Sequence, residues 1–186
     1  MPIILVPPAG EPLSLDEAKA LLRVEHGDDD AAIEALIAAA RGHVEALTRC
    51  ALMVQTWRVV RDAWPAEGRL VLRRGPLRAV VAARVFDAAG VAHAVDVQRF
   101  VVDAASGVIA SPSWALPAPG RCVAGIELDV ELGFSAQPED VPAPLGQALR
   151  MILAHWYDNR GAVASGATLL PAGAAVLLAP YRTLSL

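Results

Sequence analysis

Two stretches of this 186-residue chain set a histidine beside carboxylates: His26-Gly27-Asp28-Asp29-Asp30 and His155-Trp156-Tyr157-Asp158. Imidazole and carboxylate are the ligands of hydrolytic metal centres, in which three or four such groups converge on one cation and the cation activates a water. A metal-dependent hydrolase would therefore be built on His26, Asp28, His155 and Asp158. Each cluster also has a simpler explanation. The aspartates stand just before Ala31-Ala32-Ile33, where carboxylates satisfy orphan amides at the positive end of a helix dipole. His155 to Arg160 reads as the amphipathic end of another helix. No GxSxG elbow, GxGxxG or P-loop occurs. Cys50 and Cys122 lie in no CxxC or Cys/His spacing, so they read as two buried, reduced thiols. The reading is a chain that is not an enzyme, with no catalytic residue, cofactor or metal.

A second possible chemistry is electrostatic. Arg58, Arg61, Arg69, Arg73, Arg74 and Arg78 crowd one stretch, and a basic face of this kind could make a small nucleic-acid-binding module. The whole chain argues against it: the net charge is −4 and the sequence pI about 5.5, so no global field holds a polyanion. No lysine accompanies the arginines. Trp57 and Trp64, which bracket Arg58 and Arg61, read as core and rim packing, and the arginines as a solvated sheet edge guarded by charge or as a protein contact.

The elements that would position these residues follow from periodicity. Ser14-Leu15-Asp16-Glu17 has the form of a capping box, and Leu15, Ala18, Leu21 and Leu22 recur at helical spacing up to Val24. A longer helix runs from the aspartates to about Arg49, with Ile33, Leu36, Ile37, Ala40, Val44 and Leu47 on one stripe and Glu34, Arg41 and Glu45 on the other side. These two helices should pack as an antiparallel pair. From Leu52 the pattern alternates. Short strands are expected there and at 70–73, 79–86, 94–102, 107–110 and 123–132, joined as an antiparallel meander by tight turns. In the last of them Ile126, Leu128, Val130 and Leu132 alternate with Glu127, Asp129 and Glu131, which predicts one buried face and one acidic, wet face. A third helix spans about Ala143 to Arg160, with Leu145, Leu149, Ile152, Leu153 and Trp156 completing the helical core.

The result is an α+β fold: a small antiparallel helical bundle of two N-terminal helices and one long C-terminal helix, with an antiparallel β insertion and an extended C-terminal arm. The expected segments are 1–50 for the helical pair, 51–136 for the β insertion, 137–160 for the closing helix and 161–186 for a linker and arm. Gly161 to Tyr181 carries no charge and approaches the roughly 20 residues that span a bilayer. Pro171 and Pro180, with Gly161, Gly166 and Gly173, break it, so no membrane span is expected. The start of the chain lacks a charged, secretory-type leader, which argues for the cytoplasm. With 55% hydrophobic residues, 19% charged and a mean hydropathy of +0.42, the chain is apolar enough to share surface with neighbours.

His155-Trp156-Tyr157-Asp158-Asn159-Arg160 resembles the HWYxxR end of the last helix in the head-to-tail connector, or adaptor, family of long-tailed phages, whose members include adaptors of gene transfer agents. Pro12 to Lys19, the Asp28-Asp29-Asp30 helix start, Gln55-Thr56-Trp57, Gly133-Phe134 before Val141-Pro142, and Pro171-Ala172-Gly173 with Leu177 to Arg182 resemble that family in the same order. The resemblance implies a structural role in the neck of a particle assembled in the bacterial cytoplasm. There a homo-oligomeric ring, usually of twelve copies, joins the portal protein to a stopper or tail-completion protein, and double-stranded DNA passes through its lumen. On that basis Leu169, Leu170, Val176, Leu177, Leu178, Tyr181 and Arg182 are expected to form a portal-binding arm tethered by Gly161 to Thr168. His155, Trp156, Tyr157, Asn159 and Arg160 form the family-motif helix end.

Overall fold

The structure is a computed structural model that describes residues 3–112, 115–159 and 170–182. In chain order its elements are β1 (Ile3–Val6), α1 (Leu15–Leu22), α2 (Asp30–Thr48), β2 (Gln55–Arg61), β3 (Arg69–Val71), β4 (Leu77–Phe86), β5 (Ala92–Val95), β6 (Val101–Asp103), β7 (Val108–Ala110), β8 (Ile126–Leu132), α3 (Ala143–Asp158) and α4 (Ala172–Leu178). The α+β class is the expected one. The chain forms two compact units: a β unit of Met1–Ala9 with Val54–Gly133, and a helical unit of Gly10–Met53 with Phe134–Leu186.

In the helical unit, local sequence decides where the helices begin. Ser14 Oγ accepts the Glu17 N–H at 3.2 Å and the Ser14 N–H donates to Glu17 Oε2 at 3.0 Å, a reciprocal capping box that starts α1. Ile33, Ile37, Ala40 and Val44 of α2 then bury one stripe against Leu145, Leu149, Ile152 and Leu153 of α3. Glu45, expected on the solvent side of α2, is instead only 5% exposed. Its carboxylate accepts the Leu52 N–H at 2.9 Å and an Arg41 N–H at 3.1 Å, and Arg41 also donates to Glu11 at 2.7 Å. Burial works against the charge on Arg41, but Glu11 and Glu45 outweigh it and hold the guanidinium above its usual value. A charge can be buried here because an opposite charge and a backbone amide both meet it.

The β unit carries a five-stranded antiparallel sheet in the order β1-β2-β8-β4-β5 and a three-stranded one in the order β3-β7-β6. This corrects the expected meander. Among the described residues the consecutive strands that pair are β1–β2, β4–β5 and β6–β7, while β8, the last strand, inserts between β2 and β4. Its alternation explains the position: Ile126, Leu128, Val130 and Leu132 are all essentially buried, and a central strand is where such a row loses most contact with water. The expected strand 94–102 is divided by a 3-10 turn at Val97–Arg99 that Asp96 caps. Leu128 also meets Leu70, Ile109, Phe100 and Trp64 around one small cavity, so the second sheet packs its apolar face within the same unit.

The other face of β8 is not the wet acidic surface that alternation predicts. Arg58 on β2 makes a two-pronged bond to Asp129, from Nε at 2.7 Å and Nη2 at 3.0 Å, and Arg84 on β4 reaches Asp129 at 2.9 Å. Both guanidiniums also approach Glu127, and Arg78 donates to Glu131 at 2.9 Å. Each acid thus lies beside an arginine on a neighbouring strand, as the registers Arg58↔Asp129 and Arg84↔Glu127 require. Asp129 is only 4% exposed. The hydrogen bond from Arg58, aided by Arg84, keeps its carboxyl below the ordinary range against the opposing effect of burial.

A group with a depressed folded pKa contributes stability above its unfolded value that is lost as pH falls through the folded one. Asp129→Asn should therefore cost about 3 kcal/mol at pH 7, since it leaves two arginines without a buried counter-charge. The loss should shrink as the pH is taken below 4. Urea unfolding followed by circular dichroism at pH 7 and pH 3 measures both; equal losses at the two values would remove Asp129 as the source.

Candidate assembly surfaces

The helix-end motif lies on the last turn of α3, and its side chains bind the helical unit to itself. The Trp156 ring meets the His43 ring of α2 edge-on, with centroids 5.4 Å apart. Tyr157 Oη donates to Asp29 Oδ2 at 2.7 Å, joining the end of α3 to the start of α2. Asn159 closes the helix: its side-chain Nδ2 donates to the His155 carbonyl at 2.7 Å and its backbone N–H donates there at 3.2 Å. Arg160 lies outside the described residues.

The three aspartates have separate tasks. Asp29 occupies the N-cap position of α2 but makes no side-chain cap bond, because its carboxylate serves Tyr157. Asp30 pairs with Lys19 at 2.6 Å, tying α2 to α1, and Asp28 stands in solvent 3.9 Å from His26. Among the described residues no three His, Cys, Asp or Glu side chains form a group that could hold a metal ion. The structure thus does not bring His26, Asp28, His155 and Asp158 together as one ligand set. A groove on the helical unit, lined by Glu11, Leu13, Ser14, Leu15, Glu34 and Ile37, was not legible from motifs. Its Ser14 hydroxyl is occupied by Glu17 and its Glu11 by Arg41, so neither stands ready as nucleophile or base.

The described part of the C-terminal arm is folded, not extended. Ala174 and Leu178 of α4 are fully buried in the helical core, and Leu170, Leu177 and Tyr181 pack against it. A Cβ on Gly173 would come within 2.5 Å of Met151 Cε, the flexible end of an α3 side chain, so α4 lies close against α3 there. Val176, 73% exposed, and Arg182, also exposed, are the expected arm residues that point to solvent. Leu169 lies outside the described residues. Cys50, expected to be buried, is half-buried beside the carbonyls of Thr48 and Tyr181, while Cys122 is exposed because it lies in the loop before β8. Among the described residues no helix is long and apolar enough to cross a membrane.

The arginine stretch guards an edge at Arg69 on β3, and most of its other arginines are held within the β unit. Arg58 and Arg78 are bound to the acids of β8, Arg74 lies 4.5 Å over the Trp57 ring, and Arg61 folds onto the Val60 carbonyl. The uncharged edges are elsewhere. All four residues of β1, Ile3 to Val6, are between 39% and 57% exposed, and β5 at the opposite edge exposes Ala92, His93 and Ala94.

Comparison with known proteins bears on these surfaces. Residues 12–72 match the model of the phage gp6-like head-tail connector proteins. Among solved structures, a chain in the neck of an empty GTA particle, computed with C6 symmetry, is 30% identical and superposes with a TM-score of 0.81; the match covers 100% of this chain and 97% of that one. A chain in the virion of a native gene transfer agent (GTA) particle is 29% identical, with a TM-score of 0.81 and the same coverage. One in the neck of a native GTA particle, computed with C12 symmetry, is 28% identical at a TM-score of 0.76, again over 100% and 97%. No curated protein matches the chain. That full-length likeness, together with the family match over α1, α2 and the first strands, places the chain in the phage gp6-like head-tail connector family, a family of structural connectors and not of enzymes.

Proposed function

We propose that this chain is the adaptor in the neck of a phage or gene transfer agent particle. Twelve copies form a ring on the portal protein, a stopper or tail-completion protein binds the other side, and double-stranded DNA passes through the lumen. The observation that carries this reading is the match over the whole chain to chains in GTA necks computed with C6 and C12 symmetry. A cyclic ring needs two different, complementary surfaces on every copy. The uncharged edges β1 and β5 and the exposed part of α4 are surfaces of that kind. The net charge of −4 and the self-neutralised face of β8 leave DNA little to hold it as it passes, since tight binding depends on many free cations displacing counterions.

Portal contact is assigned to the C-terminal arm. Val176 and Arg182 make the contact, an apolar anchor and a charged donor, and Leu170, Leu177, Leu178 and Tyr181 hold α4 in place behind them. Leu169 belongs to the same arm. The helix-end motif acts differently: Trp156, Tyr157 and Asn159 stabilise the unit that carries the arm.

Deleting the gene from a particle-producing host should yield DNA-filled heads that lack tails. Normally tailed particles would overturn the reading. At the residue level, Val176→Asp with Arg182→Glu should weaken binding to purified portal at least tenfold without changing the melting temperature. Tyr157→Phe should do the reverse, lowering stability by about 1 kcal/mol through the lost bond to Asp29 and leaving portal affinity unchanged. Calorimetric titration and thermal melts separate the two.

A further inference from the structure

We infer that neighbouring copies in the ring join through their sheet edges, β1 of one copy pairing in parallel with β5 of the next. This inference rests on the ring proposed above and names the contact that builds it.

Consecutive residues of a strand point to opposite faces of the sheet. Because Ile3, Ile4, Leu5 and Val6 are all exposed, the described residues cover β1 on neither face and pair it only with β2. Four aliphatic side chains on an open edge invite pairing with another chain, and folded proteins usually blunt such an edge with charge. The smaller sheet does so: its edge strand β3 carries Arg69 and its other edge, β6, carries Asp103. Neither β1, Ile-Ile-Leu-Val, nor β5, Ala-His-Ala-Val, holds a lysine, arginine, aspartate or glutamate. The two unguarded edges therefore belong to one sheet.

They also fit each other. Both strands are four residues long. Four antiparallel steps separate them in the order β1-β2-β8-β4-β5, so they run in the same direction and copies related by rotation meet edge to edge in parallel. β1 presents large aliphatic side chains where β5 presents Ala92 and Ala94, and His93 is already turned to Asp87 at 2.9 Å. Because the two edges differ, the contact is head-to-tail and propagates around an axis, whereas pairing β1 with another β1 would stop at a dimer. Register irregularities between Ile4 and Val6, Leu77 and Ala79, and Val80 and Ala82 bend the sheet, as curvature around a ring requires. Four residues a side bury far less than the roughly 1,200 Å² of a stable pair. One contact is therefore weak in free solution, and closure on a template, with two contacts for every copy, makes the set firm.

The test uses the full chain with Cys50→Ala and Cys122→Ser, to which Ile4→Cys is added together with His93→Cys or Ala94→Cys, so that either register is sampled. Treated with a short bismaleimide after assembly on portal, the paired variants should give a ladder of covalent oligomers ending at the closed ring, and each single variant none. Leu5→Lys, at an exposed position, should keep the wild-type melting temperature and lose ring assembly at least tenfold. Wild-type rings on portal with no ladder, and rings from Leu5→Lys at normal yield, would overturn the edge contact while leaving the connector reading intact. Cross-linked dimers from Ile4→Cys alone would replace it with a twofold contact. Wild-type protein that binds no portal and forms no ring would overturn both readings.

Discussion

The pairing of β2 with β8 is the constraint on which the rest of the chain depends. Seven residues of each strand match in register from Gln55↔Leu132 to Arg61↔Ile126, and this closes the long excursion of Val54–Gly133 at its base. Closing so long a loop costs conformational entropy before any contact is gained. The burial of Ile126, Leu128, Val130 and Leu132 and the bonds of Arg58 to Asp129 offset that cost on the two faces of the strand. With the base closed, Phe134 N–H donates to the Leu52 carbonyl at 3.3 Å and Met53 bridges Ser135, and α2 and α3 can share one core although a whole unit lies between them in sequence.

Much of this was legible in the residues themselves. The capping box at Ser14, the stripe of α2, the proline-led start of α3 and the alternation of β8 are local signals, each written within a turn or a few residues. What could not be read was what depends on partners far along the chain. Alternation says that Asp129 faces away from Leu128, but only the register with β2 and β4 shows that Arg58 and Arg84 stand beside it. Glu45 looked solvent-facing by helical period; the Leu52 amide that buries it belongs to a turn whose path periodicity does not encode. The same limit applies to α4. Leu177 and Leu178 are apolar whether they serve this chain's core or a partner's, and nothing nearby in sequence distinguishes the two.

That distinction reshapes the functional reading. The helix-end motif and most of the arm's apolar residues stabilise the helical unit, so conserving their chemistry in a relative would preserve the platform rather than the contact. Small, unguarded surfaces among the described residues include the two outer strands of the larger sheet and the exposed side of α4. Contacts of this size are suited to assembly on a template. In the proposed ring, weak pairing in solution would keep free copies apart, while the symmetry of the ring would multiply each contact until the whole is stable. The apolar composition would then be divided between two interiors and a few surfaces reserved for neighbours.

The central claim is that the chain forms a ring that extends the portal toward the tail. Electron microscopy of the full-length protein mixed with the portal of its own particle tests it most directly. The expected result is a closed ring coaxial with the portal, with the symmetry of the necks whose chains this one resembles. A protein that stays monomeric beside the portal, with no density added to it, would overturn the connector reading.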